Sequence, residues 1–335
     1  MNQEKKKNIT LTISSVAIAL SVIAISMQIF VMAKEEPSAD EKYEQMLHEN
    51  FHNFAAPMPK SVSFCGEKVP IDNTFVREAL DRELSYLTYQ HASTFIILKR
   101  AFRYFPDLQR ILKQQNVPDD LKYLAVAESS LSNAVSPVKA EGFWQFMPET
   151  AKQYGLTVND EYDERYNIEK ATISACKYLK GAYTRLGGDW AIACASYNCG
   201  EGGIKARMNQ QKVNKYWDLA LNQETARYVY RIIAYKIIMS DPQTYGFYIR
   251  RKDCYQQLDY DTIIIDSTIN DFYAFSKQIG TEYKYFRLAN PELQAKKLTN
   301  KEGKKYIIRK PTKGSYSWQK LISKLDDPNE FVSSL

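Results

Sequence analysis

Glu128 is a carboxylate set on what would otherwise be the apolar stripe of a helix. Pro118-Asp119-Asp120-Leu121 opens like a helix start with acids in its first turn, and Leu121, Leu124 and Ala125 recur at helical spacing. Position 128 continues that stripe. An ionised Glu facing a core is disfavoured by desolvation, so such a group tends to keep its proton, as a general acid must. An arbitrary helical Glu more often caps, pairs or points to solvent. Ser129 and Ser130 follow it directly and supply hydroxyls next to the acid. A second constellation, His48-Glu49-Asn50-Phe51-His52, matches the His-Glu-x-x-His pattern that puts two zinc-binding imidazoles on one helical face beside a basic Glu. It lies in a short polar stretch with no third His ligand beside it, which disfavours a zinc protease. The five cysteines, 65, 176, 194, 199 and 254, are odd in number and include no Cys-x-x-Cys pair, so no disulfide framework follows from them. Cys176 and Cys194 read as small buried hydrophobes, and Cys199 has every histidine far upstream, which argues against a Cys-His nucleophile.

Four ordered segments surround this acid. The first runs from Ala127 through Glu128, Ser129 and Ser130 to Pro137. The second is Gly142-Phe143-Trp144-Gln145-Phe146-Met147-Pro148, then Thr150-Ala151 and Tyr154-Gly155-Leu156. The third is Ala195-Ser196-Tyr197-Asn198-Cys199-Gly200, and the fourth is Glu224-Thr225 with Tyr228-Val229. Together they closely resemble the lytic transglycosylases of the soluble-lytic-transglycosylase superfamily, whose pattern is Glu-Ser, Gly-Leu-(Met/Trp)-Gln-x-Met-Pro, Ala-Tyr-Asn-x-Gly and a late helix returning a Tyr to the site. One departure is Ser196, where the family usually has Ala. Trp144 before Gln145, with Gly188-Asp189-Trp190 ahead of the Tyr-Asn element, is similar to the membrane-bound murein transglycosylase D group. The resemblance covers roughly residues 105 to 240, and more weakly the C-terminal part.

The resemblance implies one acid serving twice. Glu128 would protonate the oxygen linking N-acetylmuramic acid to N-acetylglucosamine, assisted by the substrate's acetamido group, and then accept the proton of the sugar's 6-hydroxyl as it closes on C1. The product is a 1,6-anhydro sugar formed without water. Most glycosidases instead use two carboxylates. A single group acting as acid and then base needs a raised pKa and a semi-buried site, and the tethered 6-hydroxyl has a proximity advantage over water. The resemblance also carries over the substrate-binding residues Ser129, Gln145, Met147, Tyr197, Asn198 and Tyr228. Tyr197 and Asn198 would orient the acid and substrate, and Tyr228 would be a second Tyr near the carboxyl. Among Phe143, Trp144 and Phe146 at least two are expected in the core. The mechanism implies no metal, nucleotide or organic cofactor.

These residues need helices to hold them. Residues 72 to 115 are Tyr- and Phe-rich at helical spacing, Pro148 opens a short helix ended by Gly155, and Asn167 is an N-cap for a helix to about Leu186. Gly187-Gly188 break that helix, Trp190 begins another that ends at Gly200, and Glu224 to Ser240 is helical until Asp241-Pro242. The fold class is therefore mainly α, and the resemblance implies a lysozyme-like helical catalytic domain over 61–250. Residues 258–266 and 304–310 read as strands around helices at 270–280 and 284–289, a small α+β unit over 255–312 that resembles a degenerate lysin-motif domain. Asp266-Ser267-Thr268 replaces the usual Gly-Asp-Thr turn of that module, which leaves glycan binding and a structural role both open. Residues 313–335 form a tail.

Residues 8–33 carry no charge and are rich in Ile, Val, Ala and Leu, sufficient for a transmembrane helix, and Lys5-Lys6-Lys7 place residues 1–7 in the cytoplasm. A cleaved secretory signal ending near Val31-Met32-Ala33 is the alternative, and the length of the run favours an anchor. The first cysteine is Cys65, so a lipoprotein anchor is not supported. Residues 34–60 then form a juxtamembrane stalk with a short helix from about 40 to 54. This organisation implies a single-pass protein of the bacterial inner membrane with its catalytic domain in the periplasm or cell-wall space. The formal charge of +6 is spread along the chain; it suits an anionic surface or polymer and does not by itself indicate nucleic acid, while the resemblance implies peptidoglycan glycan strands as the partner. Nothing in the sequence names a partner in cell-wall or secretion machinery. The nearest enzymatic rival is a lysozyme-type hydrolase of the same fold using Asp160, Asp163 or Glu164 as second carboxylate. A non-catalytic glycan-binding scaffold is disfavoured by the intact Glu128.

Overall fold

The computed structural model describes residues 3–32, 38, 40–42, 45 and 54–335. His48, Glu49 and His52 lie outside the described residues. The chain divides into two units, Met1–Ala55 and Ala56–Leu335. In the first, helix α1 spans Gln3–Met32. Side chains are described over its residues 13–28, with Ile13, Val16, Ile18 and Leu20 all more than half exposed. Among the described residues no helix is long and apolar enough to cross a membrane. Residues 40–42 are helical behind a capping box in which the Ser38 N–H donates to Glu41 Oε2 (2.7 Å) and the Glu41 N–H to Ser38 Oγ (3.2 Å).

The second unit begins with a two-residue hairpin, β1 (Ser63–Phe64) and β2 (Glu67–Lys68), and is then helical. Helices α2 (Thr74–Tyr89) and α3 (His91–Gln114) occupy the aromatic-rich segment, α2 starting where the Asn73 side chain accepts from the N–H groups of Phe75 and Val76. The acids of Asp119–Leu121 form a 3-10 turn leading into α4 (Lys122–Ser129). Then come α5 (Pro148–Gln153), α6 (Ile168–Arg185), α7 (Trp190–Cys199), α8 (Glu201–Gln211) and α9 (Gln223–Ser240). Their starts follow the local chemistry: Asn167, Asp189 and Asn222 each cap a helix through a side-chain oxygen. Gly187 and Gly188 take φ of +92° and +82° and end α6, as side-chain-free residues can do at little steric cost. Helix α8 was not foreseen, since Gly202-Gly203 lower its helical propensity.

The small module is a strand, two helices and a strand: β3 (Tyr260–Ile265), α10 (Phe272–Gln278), α11 (Tyr283–Ala289) and β4 (Tyr306–Pro311), followed by α12 (Trp318–Ile322). β3 and β4 pair antiparallel with Ile263 opposite Ile308. Its core gathers Ile269, Phe272, Phe286, Leu293, Leu298 and Ile308, and it takes in Tyr162 from the helical region. Residues 313–335 do not trail away. Arg250 bridges to Phe331, the Leu335 N–H donates to the Met239 carbonyl, and Val332 joins the large helical core.

Candidate active site

Helix α4 is short, and Leu121 through Val126 are all buried against α3 and α9, which fixes its rotation. Burying each of its large apolar side chains is worth about 1.5–3 kcal/mol, so turning the helix to expose them is costly. Glu128 follows two residues later in a half-buried position. Past it the backbone reverses abruptly: Ser130 and Leu131 hold φ of 53° and 54°, an uncommon left-handed pair for residues with side chains. The Ser130 N–H closes the helix on the Val126 carbonyl, Arg100 of α3 donates to the Ser130 carbonyl at 2.9 Å, and Leu131 is buried. These contacts hold the reversal.

Tyr228 of α9, 4 % exposed, donates its hydroxyl to Glu128 Oε1. Burial pushes the Glu128 carboxyl up to about 7, against the opposing pull of the Tyr228 hydrogen bond and the Arg231 charge. The acid is therefore substantially protonated at neutral pH and can also hold charge. Burial, followed by the Glu128 charge, holds the Tyr228 phenol well above its usual range, so Tyr228 remains a donor.

The other sequence-derived residues divide by where they point. Tyr197 of α7 donates to the Trp144 carbonyl (2.7 Å), tying α7 to the loop before α5; its phenol is raised first by burial and then by the Glu128 charge. Asn198 accepts from the Thr225 hydroxyl at 3.1 Å and so joins α7 to the start of α9. Ser129 is buried, its hydroxyl donating to the Ala125 carbonyl (3.2 Å) and accepting from the Ser132 N–H (3.4 Å); it makes no bond to Glu128. Gln145, at φ 48°, donates through Nε2 to the carbonyls of Ala134 (2.9 Å) and Gly142 (2.7 Å). Met147 is 42 % exposed and open to a ligand. Phe143, Trp144 and Phe146 are all buried, with the Trp144 indole N–H on Thr172 Oγ1 at 2.9 Å. Cys199 donates to the Ala195 carbonyl, and burial raises its thiol, which does not favour a thiolate nucleophile.

Residues 139–147 are held by a guanidinium that sequence reasoning missed. Arg165, buried, clasps Asp163 (Nη2 to Oδ2, 2.6 Å), contacts Glu141 Oε2 at 3.0 Å, and donates through Nη1 to the carbonyls of Lys139 (2.9 Å) and Phe146 (3.1 Å). Gly142, at φ +80°, lies so close to this segment that an added Cβ would fall 2.0 Å from the Arg165 carbonyl oxygen. Two of the three candidate second carboxylates are engaged in the same framework, and Asp160 is exposed. Asp163 is bound to Arg165, and Glu164 accepts from the Thr157 N–H (2.7 Å) and pairs with Lys170.

The C-terminal module grips this framework from outside. The Asp163 N–H donates to the Glu292 carbonyl (2.8 Å), the Gln294 N–H to the Glu161 carbonyl (2.9 Å), and Tyr162 bridges to Leu293. Glu292, 1 % exposed, accepts from Asn167 Nδ2 (3.0 Å) and Arg309 Nη1 (3.2 Å).

Residues 108–220 match the transglycosylase SLT domain, and residues 261–314 match the soluble lytic transglycosylase C-terminal LysM-like domain. The chain thus pairs a mainly helical, lysozyme-like SLT fold with a small sheet-containing domain. It is homologous to the membrane-bound lytic murein transglycosylase D of Escherichia coli K12, 31 % identical over 192 residues, covering 55 % of this chain and 42 % of that protein. It therefore spans less than half the length of that relative. It is also 29 % identical over 135 residues to a putative tributyltin chloride resistance protein of an Alteromonas strain, covering 40 % of this chain and 65 % of that protein. The 70 kDa soluble lytic transglycosylase of Escherichia coli aligns at TM-score 0.37 and 22 % identity, over 50 % of this chain and 30 % of that one.

Proposed function

We propose that this protein is a lytic transglycosylase that cleaves the β-1,4 bond between N-acetylmuramic acid and N-acetylglucosamine in peptidoglycan and releases 1,6-anhydro-N-acetylmuramic acid. The observation that carries the reading is the half-buried Glu128, held by the Tyr228 hydroxyl, with burial pushing its carboxyl up to about 7. Glu128 gives its proton to the glycosidic oxygen as the bond to C1 breaks. As carboxylate it then takes the proton of the 6-hydroxyl while that oxygen bonds to C1, returning the acid to its starting state. Tyr228 stays a donor throughout and stabilises the carboxylate between the two steps. Gln145 and the backbone around Met147 line the sugar subsites, Tyr197 and Asn198 brace the acid's surroundings, and Ser129 secures the end of α4. The engagement of Asp163 with Arg165 and of Glu164 with Lys170 supports this one-carboxylate route over a lysozyme-type hydrolase.

On this reading residues 1–7 lie in the cytoplasm and 8–33 anchor the chain in the inner membrane. Residues 34–60 form a stalk, 61–250 the catalytic domain, 255–312 the module and 313–335 the closing segment. The apolar sequence of α1 and the name of the Escherichia coli relative support the anchor. The test is solubilisation of purified sacculi by the full-length protein. Glu128→Gln is expected to slow release by about 10²- to 10⁴-fold, the usual contribution of a positioned general acid. Release undiminished in that variant would overturn the reading.

A further inference from the structure

Glu83 of α2 has no solvent exposure, and the reaction above makes no use of it. Its Oε1 accepts from Arg227 Nε at 2.7 Å and lies 3.3 Å from Arg82 Nε, while its Oε2 accepts from Arg231 Nε at 3.4 Å. A carboxylate at that depth is stable only when paired. Arg227 and Arg231 are four residues apart on α9, and Tyr228 lies between them in sequence with its hydroxyl on Glu128. The stretch of α9 that delivers the donor to Glu128 therefore also brings a cation whose charge acts on the same carboxyl. An Arg231 free to swing could pair with Glu128 and hold it ionised.

We propose that Glu83 is a positioning residue for Glu128: by gripping Arg227 and Arg231 through their Nε atoms, it keeps the Arg231 cation from pairing with the catalytic carboxyl. The proposal rests on Glu128 being the proton donor. The groups that act on that carboxyl are Tyr228 and Arg231 from α9, with Tyr197 of α7 sensing its charge. Tyr228 and Tyr197 remain neutral across the working range, since burial raises both phenols. Around Glu83 stand Arg82 and Tyr86 of α2 and Arg227, Arg231 and Tyr235 of α9. Among these, Arg231 is the charge that acts on both acids.

The test compares full-length wild type with Glu83→Gln, Arg231→Met and the double variant, using the pH dependence of sacculus solubilisation and the 13C titration of Glu128, whose resonance Glu128→Gln identifies. Glu83→Gln removes the counter-charge, so the Glu128 titration and the basic limb of activity should move to lower pH by about half a pH unit or more. Arg231→Met should move both upward, and the double variant should match Arg231→Met. Slower turnover with an unmoved titration would reduce Glu83 to a structural ion pair and overturn the proposal. If Glu83→Gln does not fold, Arg231→Met alone decides, and no upward movement is the overturning result. Failure of the underlying reading looks different, because Glu128→Gln would then keep full activity while the Glu128 titration still responded to Glu83.

Discussion

Tyr228 and Glu128 are joined side chain to side chain across 100 residues of sequence, the phenol donating to a carboxyl that burial has already pushed towards its protonated form. The hydrogen bond stabilises the charged form and burial the neutral one. Their opposition leaves the acid near 7, where it can both give and take a proton.

Replacing Tyr228 with Phe removes the bond that lowers the Glu128 pKa, so the carboxyl should titrate higher still. The basic limb of the pH–rate profile is expected to move upward while the maximal rate falls roughly 10-fold or more, since the carboxylate between the two proton transfers loses a donor. Sacculus-release assays across pH check this; a limb that stays in place would mean that Tyr228 does not bear on the acid.

Stability should depend on pH in the opposite sense from a salt-bridged acid. The Glu128 pKa is raised from 4.5 to about 7, so the folded state holds its proton more tightly. This contribution is complete below about pH 4.5 and is lost as pH rises through about 7. Glu128→Gln should therefore be more stable than wild type by about 2–3 kcal/mol near pH 8, a gap that closes towards about pH 4. Denaturant titrations at the two pH values measure it; equal gaps at both would contradict the assigned protonation.

Gly142→Ala should damage the site from a distance. A Cβ at 2.0 Å from the Arg165 carbonyl oxygen cannot be accommodated without moving the segment that carries Trp144 and Gln145, and φ +80° adds strain. A loss of about 2–4 kcal/mol in stability, with reduced activity, is expected. An unchanged melting temperature would show that this segment is looser than described.

The C-terminal module should be inseparable from the catalytic region. Glu292→Ala leaves Arg309 and Asn167 without their buried partner, and is expected to cost about 3 kcal/mol. Chemical denaturation should then show a shifted main transition; loss confined to a separate small transition would make the module an independent bead.

Much of this was legible in residue types and spacing. The stripe of Leu121, Leu124 and Ala125 pointed to Glu128, and Asn167, Pro148 and Gly155 gave helix boundaries that local chemistry imposes. The strand limits in the module came within about two residues for the same reason. What escaped was long-range. Nothing local reveals that Glu83 meets Arg231, or that Tyr162 enters the module's core, because those contacts depend on how finished helices and strands pack. Ser129 shows the converse: the resemblance made it a substrate-binding candidate, yet at the last turn of α4 its hydroxyl donates to the carbonyl four residues back. Helix α8 formed despite Gly202-Gly203, with Ile204 fully buried, tertiary burial overriding propensity.

The most direct test is the mass of the muropeptides released from purified sacculi by the full-length protein. Glu128 acting as acid and then base predicts anhydro products, each lighter by one water than its hydrolysed counterpart and lacking a reducing end. Reducing-end products at the full hydrolysed mass would show that water attacks C1, and would contradict the account.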